Sequence, residues 1–254
     1  MIHPTAIIDP AAELDEGVEV GPYVIIGPRV RIGRGTSIGP HAVLRGPTDI
    51  GCDNRIFQFA SVGEDPQDKK YAGEETRLEL GDRNVIREFV TLHRGTAQGL
   101  GVTRIGSDNL FMAYVHVAHD CLIGDNIIMA NATTLAGHVS VEDWAILGGF
   151  TIIHQFCRIG AHCFSGGGSV VAQDIPPFVL VNGHPAHPRG INSEGLRRRN
   201  FKPEAIAAIK QGFRLLYKSK KRLAEALVAM RALRSPEVDH LADFVANSPR
   251  GFVR

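Results

Sequence analysis

A parallel β-helix wound from six-residue repeats and closed by a small helical subdomain is the fold this sequence predicts, on three observations. Ile, Leu or Val recurs every six residues at Ile2, Ile8, Leu14, Val20, Ile26, Ile32, Ile38, Leu44, Ile50, Ile56 and Val62. The residue four places after each is mostly small or β-branched, as at Ala6, Ala12, Val18, Val24, Val30, Thr36, Ala42 and Ala60, and glycine often follows the aliphatic, as at Gly21, Gly27, Gly33, Gly39, Gly51 and Gly63. From Asn192 onward the apolar spacing becomes helical. A period of six fits neither an α-helix nor an alternating strand. It is the period of a hexapeptide β-helix, in which one hexad makes one flat side and three hexads make one triangular coil.

The solenoid is expected over residues 1–190. Its pattern lapses after Val62 and returns at Leu80, Ile86 and Leu92, which leaves a polar insertion near residues 63–79. A second, glycine-rich insertion lies near residues 93–104, and the repeat resumes one place out of phase at Ile105, Phe111, Val117, Ile123, Met129, Leu135, Val141, Leu147, Ile153 and Ile159. It decays at Ser165 with a last echo at Val171. Long structureless segments inside a repeat array are usually functional, and solenoid insertions gather on a binding face. The first insertion, with Asp68, Lys69 and Lys70 together, is the stronger candidate.

Pro176-Pro177 and the segment 182–188 end the array, and residues 191–254 are expected to form the helical subdomain. Pro203 suits a first helical turn, with Ile206, Ile209, Phe213 and Leu216 following on one face. Leu223, Leu227 and Met230 mark a second helix, and Ser235-Pro236-Glu237 opens a third that carries Val238, Leu241 and Val245. Such a unit would cover strand edges that the last coil leaves open.

Across 254 residues the net charge is only +1, but its distribution is uneven. Residues 193–254 hold 14 Lys and Arg against 6 Asp and Glu, a balance of +8, while residues 1–192 carry 14 against 21, or −7. The basic segment implies an acidic partner: an acidic protein, a phosphate-bearing ligand or a membrane surface. Nothing marks a nucleic-acid interface. The four cysteines have neither metal-ligand nor disulfide-framework spacing, and Cys121, Cys157 and Cys163 occupy the small-residue slot of the repeat. Reduced packing cysteines, no apolar run of membrane-spanning length and a repeat that starts at residue 2 lead to the expectation of a soluble cytoplasmic protein.

Coil geometry picks out the chemistry. Positions eighteen residues apart stack at the inter-strand spacing of about 4.8 Å. His119, Gly137 and Gln155 therefore share one column, with His138 one place after it and His154 one place before. An imidazole can take a proton from a hydroxyl as that oxygen attacks a carbonyl. A glycine leaves its backbone N–H unshielded for a developing oxyanion. No serine or cysteine elbow accompanies the histidine, which favours direct acyl transfer over a covalent intermediate. Asp120 could orient the His119 ring only if the chain turns there, because neighbours on a strand point to opposite faces. Two other readings compete: three imidazoles binding Zn²⁺ as in γ-class carbonic anhydrases, and a non-enzymatic scaffold.

Six stretches carry a specific resemblance: QFASVGEDPQDKKYAGE (58–74), TLHRGT (91–96), HVAHDC (116–121), TLAGHVSV (134–141), HQFCRIGAH (154–162) and NSEGLRRRNF (192–201). Together they resemble the UDP-N-acetylglucosamine O-acyltransferases of lipid A biosynthesis, through both insertions and the helical tail. The resemblance implies a left-handed winding and a homotrimer with active sites between subunits. It also implies transfer of an (R)-3-hydroxyacyl group from acyl carrier protein to the glucosamine 3-hydroxyl of UDP-N-acetylglucosamine. No cofactor or metal is implied, because the acyl group arrives on the carrier's phosphopantetheine.

Carried over by motif, His119 would be the general base, Asp120 its partner and Gly137 the oxyanion donor. Asp68, Lys70, His116, His138, His154 and Gln155 would hold the sugar and diphosphate. Asn192 and Glu194 would meet the uracil, Arg199 the diphosphate and Arg198 the phosphopantetheine. Gly167 matches the position limiting acyl length, and a glycine there implies room for a longer chain. The acidic carrier would account for the basic tail. Within the same class, an N-acyltransferase acting on the 3-amino analogue of the nucleotide sugar could use the same site.

Overall fold

The computed structural model describes residues 1–254 and winds the chain into a three-sided prism of short strands. The first face holds nine strands, from Ile7–Ile8 to Val170–Val171; the second holds eight, from Glu13–Leu14 to Arg158–Ile159; the third holds ten, from Glu19–Val20 to His187–Ile191. Successive coils pair in parallel, as in Ile7 with Ile25, Glu13 with Arg31 and Glu19 with Ser37. These offsets are the eighteen residues that the hexad predicts. The winding is that of a left-handed parallel β-helix.

Most hexads contribute a two-residue strand and a tight corner. The aliphatic is the second strand residue and points inward, as at Ile26, Leu44, Ile86, Leu135 and Ile153, while the small residue four places on fills the corner behind it. The second corner residue adopts a left-handed φ, as at Tyr23 (57°), His41 (59°), Asp120 (58°) and His138 (62°). That conformation bends one side sharply into the next. Cys121, Cys157 and Cys163 lie in the small slot with no exposure. Burial pushes the Cys121 thiol up to about 12 and that of Cys157 up to about 11, so both pack as neutral side chains.

Asparagine also uses this slot. Asn54, Asn84 and Asn109 stack inside the corner between the second and third faces. Asn84 N–H donates to Asn54 Oδ1 (2.8 Å), Asn109 N–H to Asn84 Oδ1 (3.0 Å) and Ile127 N–H to Asn109 Oδ1 (2.7 Å). Their Nδ2 groups donate to the carbonyls of Gly81, Gly106 and Gly124. The ladder satisfies backbone groups that the corner would otherwise leave buried and unpaired.

Both insertions are shorter than the hexad pattern implies. Strands Ser61–Glu64 and Arg77–Leu80 flank the first, which shrinks to residues 65–76, and strands Thr91–His93 and Val102–Ile105 flank the second, which shrinks to residues 94–101. Leu78 and Val102 are buried in four-residue strands that pair with each other throughout, from Arg77 with Val102 to Leu80 with Ile105. A template with one inward aliphatic per side misses strands long enough to alternate. Likewise Val171 is not the last echo: Ile175 bridges Ile159, and Val179–Asn182 adds a further rung beside Phe164–Ser165.

An antiparallel hairpin, Val179–Asn182 with His187–Ile191, then stops the winding. Four helices follow: α1 (Ser193–Arg198), α2 (Pro203–Tyr217), α3 (Leu223–Arg231) and α4 (Pro236–Ala246). Their inward faces form a second cluster with Leu196, Ile209, Met230, Val238, Leu241 and Val245, joined by Phe178 of the solenoid. Phe213 and Val253 reach into the prism core itself, so the subdomain plugs the end. It also laps down the side, where His240 Nε2 lies 3.1 Å from Glu142 and the Arg158 guanidinium sits 4.2 Å over the Phe244 ring. No helix is long and apolar enough to cross a membrane.

Candidate active site

The corner after strand His116–Val117 joins the first face to the second and carries His119 and Asp120 as its two turn residues. The left-handed φ of Asp120 rotates its side chain back beneath the preceding ring, so neighbours in sequence face one another. His119 Nδ1 lies 2.8 Å from Asp120 Oδ2. The Asp120 carboxylate, 1% exposed, also accepts from Thr96 N–H, Thr96 Oγ1 (2.6 Å) and Leu100 N–H (2.8 Å). These donors come from the second insertion, which folds over the corner. Burial alone would raise the Asp120 carboxyl, but the hydrogen bonds from Thr96 and His119 outweigh it and hold the group below the ordinary carboxylate range.

A charged Asp120 on Nδ1–H leaves the lone pair on His119 Nε2. That edge of the ring lies across Gly137 in the next coil: a β-carbon at 137 would fall 2.5 Å from Cε1 and 2.7 Å from Nε2. The Gly137 N–H meets no acceptor within the chain. His138, the next residue, stands edge-on to His119 (centroids 5.1 Å apart) and stacks on Phe156 (4.4 Å). Gln155 and His154 follow one coil further along, both exposed. The column read from the eighteen-residue count is thus assembled at one corner.

His116 sits on the adjoining first face, with Nδ1 2.7 Å from Thr91 Oγ1. Burial, together with His93 and His119 nearby, pushes it down to about 4, so it is neutral near pH 7. His93 was not visible as part of this group from the sequence. It is 4% exposed and stands edge-on to His116, with centroids 5.1 Å apart. The link runs through the pairing of Thr91 with His116, a step of twenty-five residues because the second insertion intervenes. Asp68 and Lys70 lie in the first insertion, where Asp68 Oδ1 accepts from Lys70 N–H (3.0 Å). Burial lowers His138, opposed by the carboxylates of Asp120 and Asp68.

The remaining sequence candidates lie elsewhere on the prism. Asn192 caps α1: its Oδ1 accepts from Gly195 N–H (3.1 Å) and its Nδ2 donates to the His162 carbonyl (2.9 Å). Glu194 is exposed and pairs with Arg197 and Arg198. The Arg199 guanidinium lies 5.1 Å over Trp144 and 3.2 Å from His162 Nδ1. These residues rim a cavity of about 540 Å³ on the third face, floored by Ile128, Ile146, Phe164 and Leu180. Gly167 stands exposed at the corner between the third face and the first. Within one chain, the Asn192–Arg199 group is therefore a whole face away from His119.

His119, Asp120 and His138 bring possible metal-ligand atoms within 4.8 Å of one another. The Asp120 oxygens, however, already accept from Thr96, Leu100 and His119, and a cation would have to displace them. The donor set suits a histidine held for proton transfer better than an ion.

A hexapeptide solenoid with a carboxylate-held imidazole over a bare glycine amide defines a hexapeptide-repeat acyltransferase. The bacterial transferase hexapeptide family (six repeats) matches residues 11–46, and the UDP N-acetylglucosamine O-acyltransferase family, domain 2, matches residues 174–253. The acyl-[acyl-carrier-protein]–UDP-N-acetylglucosamine O-acyltransferase of Janthinobacterium sp. (strain Marseille) is 58% identical over 260 residues, covering 100% of this chain and 99% of that protein. The enzyme of the same name from Thiobacillus denitrificans is 57% identical over 255 residues, with the same coverage. The solved structure of LpxA from Acinetobacter baumannii superposes with a TM-score of 0.97 at 47% identity, covering 100% of this chain and 99% of that one. The chain belongs to the UDP-N-acetylglucosamine O-acyltransferase family.

Proposed function

We propose that this protein moves an (R)-3-hydroxyacyl group from acyl carrier protein to the 3-hydroxyl of UDP-N-acetylglucosamine, opening lipid A biosynthesis. One observation carries the chemistry: His119, fixed through Nδ1 by Asp120, presents its free nitrogen at the unshielded amide of Gly137. His119 Nε2 takes the proton of the 3-hydroxyl as that oxygen attacks the thioester carbonyl. The tetrahedral oxyanion accepts from Gly137 N–H. Collapse breaks the carbon–sulfur bond, and the imidazolium returns its proton to the departing phosphopantetheine thiolate. Asp120 stabilises the imidazolium while it lasts.

Asp68 and Lys70 hold the acceptor together with His116, His138, His154 and Gln155. Asn192 and Glu194 meet the uracil, Arg199 the diphosphate and Arg198 the phosphopantetheine, with Gly167 bearing on acyl length. The separation of the Asn192–Arg199 group from the His119 corner supports a site completed by a second copy, and hence the homotrimer. The basic tail suits an acidic carrier protein. No cofactor or metal enters this reaction. Four free cysteines, three of them buried, fit a reducing cytoplasm.

The test is product analysis with one acyl carrier protein and two acceptors, UDP-N-acetylglucosamine and its 3-amino analogue. Acylation of the hydroxyl acceptor is expected. Activity with the amine alone would replace this reading with the N-acyltransferase.

A further inference from the structure

Arg94 opens the second insertion and is almost wholly enclosed, its side chain 8% exposed. Its Nη1 donates to the carbonyls of Gly63 (2.8 Å) and Gly46 (3.1 Å), and its Nη2 donates to the Tyr71 hydroxyl (3.0 Å) and to the Asp65 carboxylate. Its backbone N–H donates to the Glu64 carbonyl (3.1 Å). Every one of these partners except Gly46 lies within or at the base of the first insertion, twenty-three residues or more earlier in the chain. Burying a guanidinium costs several kcal/mol unless its hydrogen bonds are made, and here both terminal nitrogens make two each, three of the four to the first insertion and its base, while Nε has no partner.

The loop is arranged so that this anchorage reaches its tip. Asp68 accepts from Lys70 N–H through its side chain and from Tyr71 N–H through its carbonyl (3.0 Å), so residues 68–71 form one self-bonded turn. Asp65 precedes that turn and Tyr71 ends it; Arg94 holds both. The Tyr71 hydroxyl also donates to the Glu74 carbonyl (3.1 Å), which ties down the segment leading back to strand Arg77–Leu80. Just beyond Arg94, Thr96 and Leu100 donate to Asp120, and just before it His93 packs on His116. A single eight-residue stretch, 93–100, therefore grips the acceptor loop with one end and the carboxylate that orients His119 with the other.

We infer that Arg94 is a positioning residue for the acceptor sugar: it sets the Asp68–Lys70 turn at a fixed place relative to the His119–Asp120 pair. The inference rests on the assignment of UDP-N-acetylglucosamine as acceptor. A planar fork reaches two carbonyls, a carboxylate and a phenol at once, whereas an ammonium cannot span them. Arg94→Lys keeps the charge and loses the fork, so the turn is released while the chemistry of His119 is untouched. Tyr71→Phe removes one strand of the same tie by deleting a single hydroxyl.

Steady-state kinetics with both substrates varied tests this. Arg94→Lys is expected to raise KM for UDP-N-acetylglucosamine at least tenfold (about that order for one lost charged contact), with KM for acyl carrier protein unchanged and kcat at saturating sugar nearly retained. Tyr71→Phe should move the same constant in the same direction by less, and the double variant should be no worse than Arg94→Lys. A merely structural arginine would lower the active fraction, and so kcat, without separating the two KM values. That pattern, or an unaltered sugar KM, overturns the inference. If Arg94→Lys does not fold, Tyr71→Phe alone decides by the same criterion. Failure of the wild-type protein to acylate UDP-N-acetylglucosamine is a different result and would remove the acceptor assignment instead.

Discussion

The His119 ring occupies the space that a side chain at Gly137 would need, with 2.5 Å between Cε1 and the position of a β-carbon there. The glycine is thus required by the contact between coils, whatever its own φ. Gly137→Ala must push the imidazole off its line or shift the coil. Misplacing a base by about 1 Å can cost roughly a hundredfold in rate. The expected outcome is a loss of that order in kcat with thermal stability little altered; normal turnover in the alanine variant would show that the ring does not work from this position.

His119→Ala removes the proposed proton acceptor altogether and should lower kcat by about 10²–10⁴-fold, the usual range for a general base. Calorimetric titration should still show UDP-sugar binding, because the proposed acceptor-binding residues, Asp68, Lys70, His116 and His138, are left in place. Asp120→Asn is more damaging to the fold. Its amide keeps one acceptor oxygen but turns an NH2 either toward the N–H groups of Thr96 and Leu100 on the Oδ1 side or toward Thr96 Oγ1 and His119 Nδ1 on the Oδ2 side, all of which now donate to the carboxylate. A cost of about 1–3 kcal/mol in stability is expected alongside the rate loss. A variant as stable as wild type would argue against the described hydrogen bonding.

The asparagine ladder offers a stability test remote from the chemistry. Asn84 is fully buried, accepts from Asn109 N–H and donates to Gly106 O and Asn54 Oδ1. Asn84→Ala strands these groups and should cost about 1–3 kcal/mol, read as a drop in Tm at unchanged kcat per folded molecule. Loss of activity in molecules that remain folded would mean that the second and third faces communicate with the His119 corner.

Acid should loosen the junction between prism and cap. His162 stacks between Trp144 and Phe178 and faces Arg199 and His240; burial, with Arg199 adding to it, pushes it down to about 4. The unfolded chain binds its proton near pH 6.5, the folded chain only near 4. Stability is therefore lost as pH falls through that window, by an upper limit of about 3 kcal/mol for the site. His240 opposes this trend in part, since its hydrogen bond to Glu142 raises it and stabilises the cap until the pH rises through its folded value, whereas Glu142, held below its ordinary range, adds to the loss at the acid end. Melting curves between pH 4 and 7 should show His162→Phe losing less stability in acid than wild type. A parallel pair of curves would exclude His162 as the source.

What the sequence shows and hides follows from how local each signal is. The inward aliphatics, the eighteen-residue stacking and the column His119–Gly137–Gln155 all come from a strict period, and the coordinates preserve it wherever coils are uninterrupted. His93 beside His116, and Arg94 beneath the first loop, depend on steps of twenty-five and thirty residues across insertions, where counting fails. The paired strands around Leu78 and Val102 were hidden because alternation over four residues looks like loop beside a six-residue period. The turn that lets Asp120 meet His119 needs a left-handed φ on a non-glycine residue; Asp tolerates it better than most, but Tyr23, Phe89 and Trp144 take it at equivalent corners, so residue type alone does not mark the place. The helical spacing of 203–246 was plain because each helix keeps one apolar face against the cap core.

The division of site residues between two corners gives a prediction about assembly. His119 stands between the first and second faces, whereas Arg199 stacks on Trp144 between the second and third. If each active site joins His119 of one subunit to Arg199 of its neighbour, His119→Ala and Arg199→Ala damage different halves of every site. Each variant alone should be nearly inactive. Unfolded together and refolded, they form mixed assemblies in which some interfaces pair an intact histidine with an intact arginine, and those interfaces regain turnover. The recovered fraction should follow the mixing ratio and peak near equal amounts. Should the mixture stay as inactive as its components, while size-exclusion chromatography with differently tagged chains shows that subunits have exchanged, both residues would have to serve one site from the same chain, and the separation described above could not persist in the working enzyme.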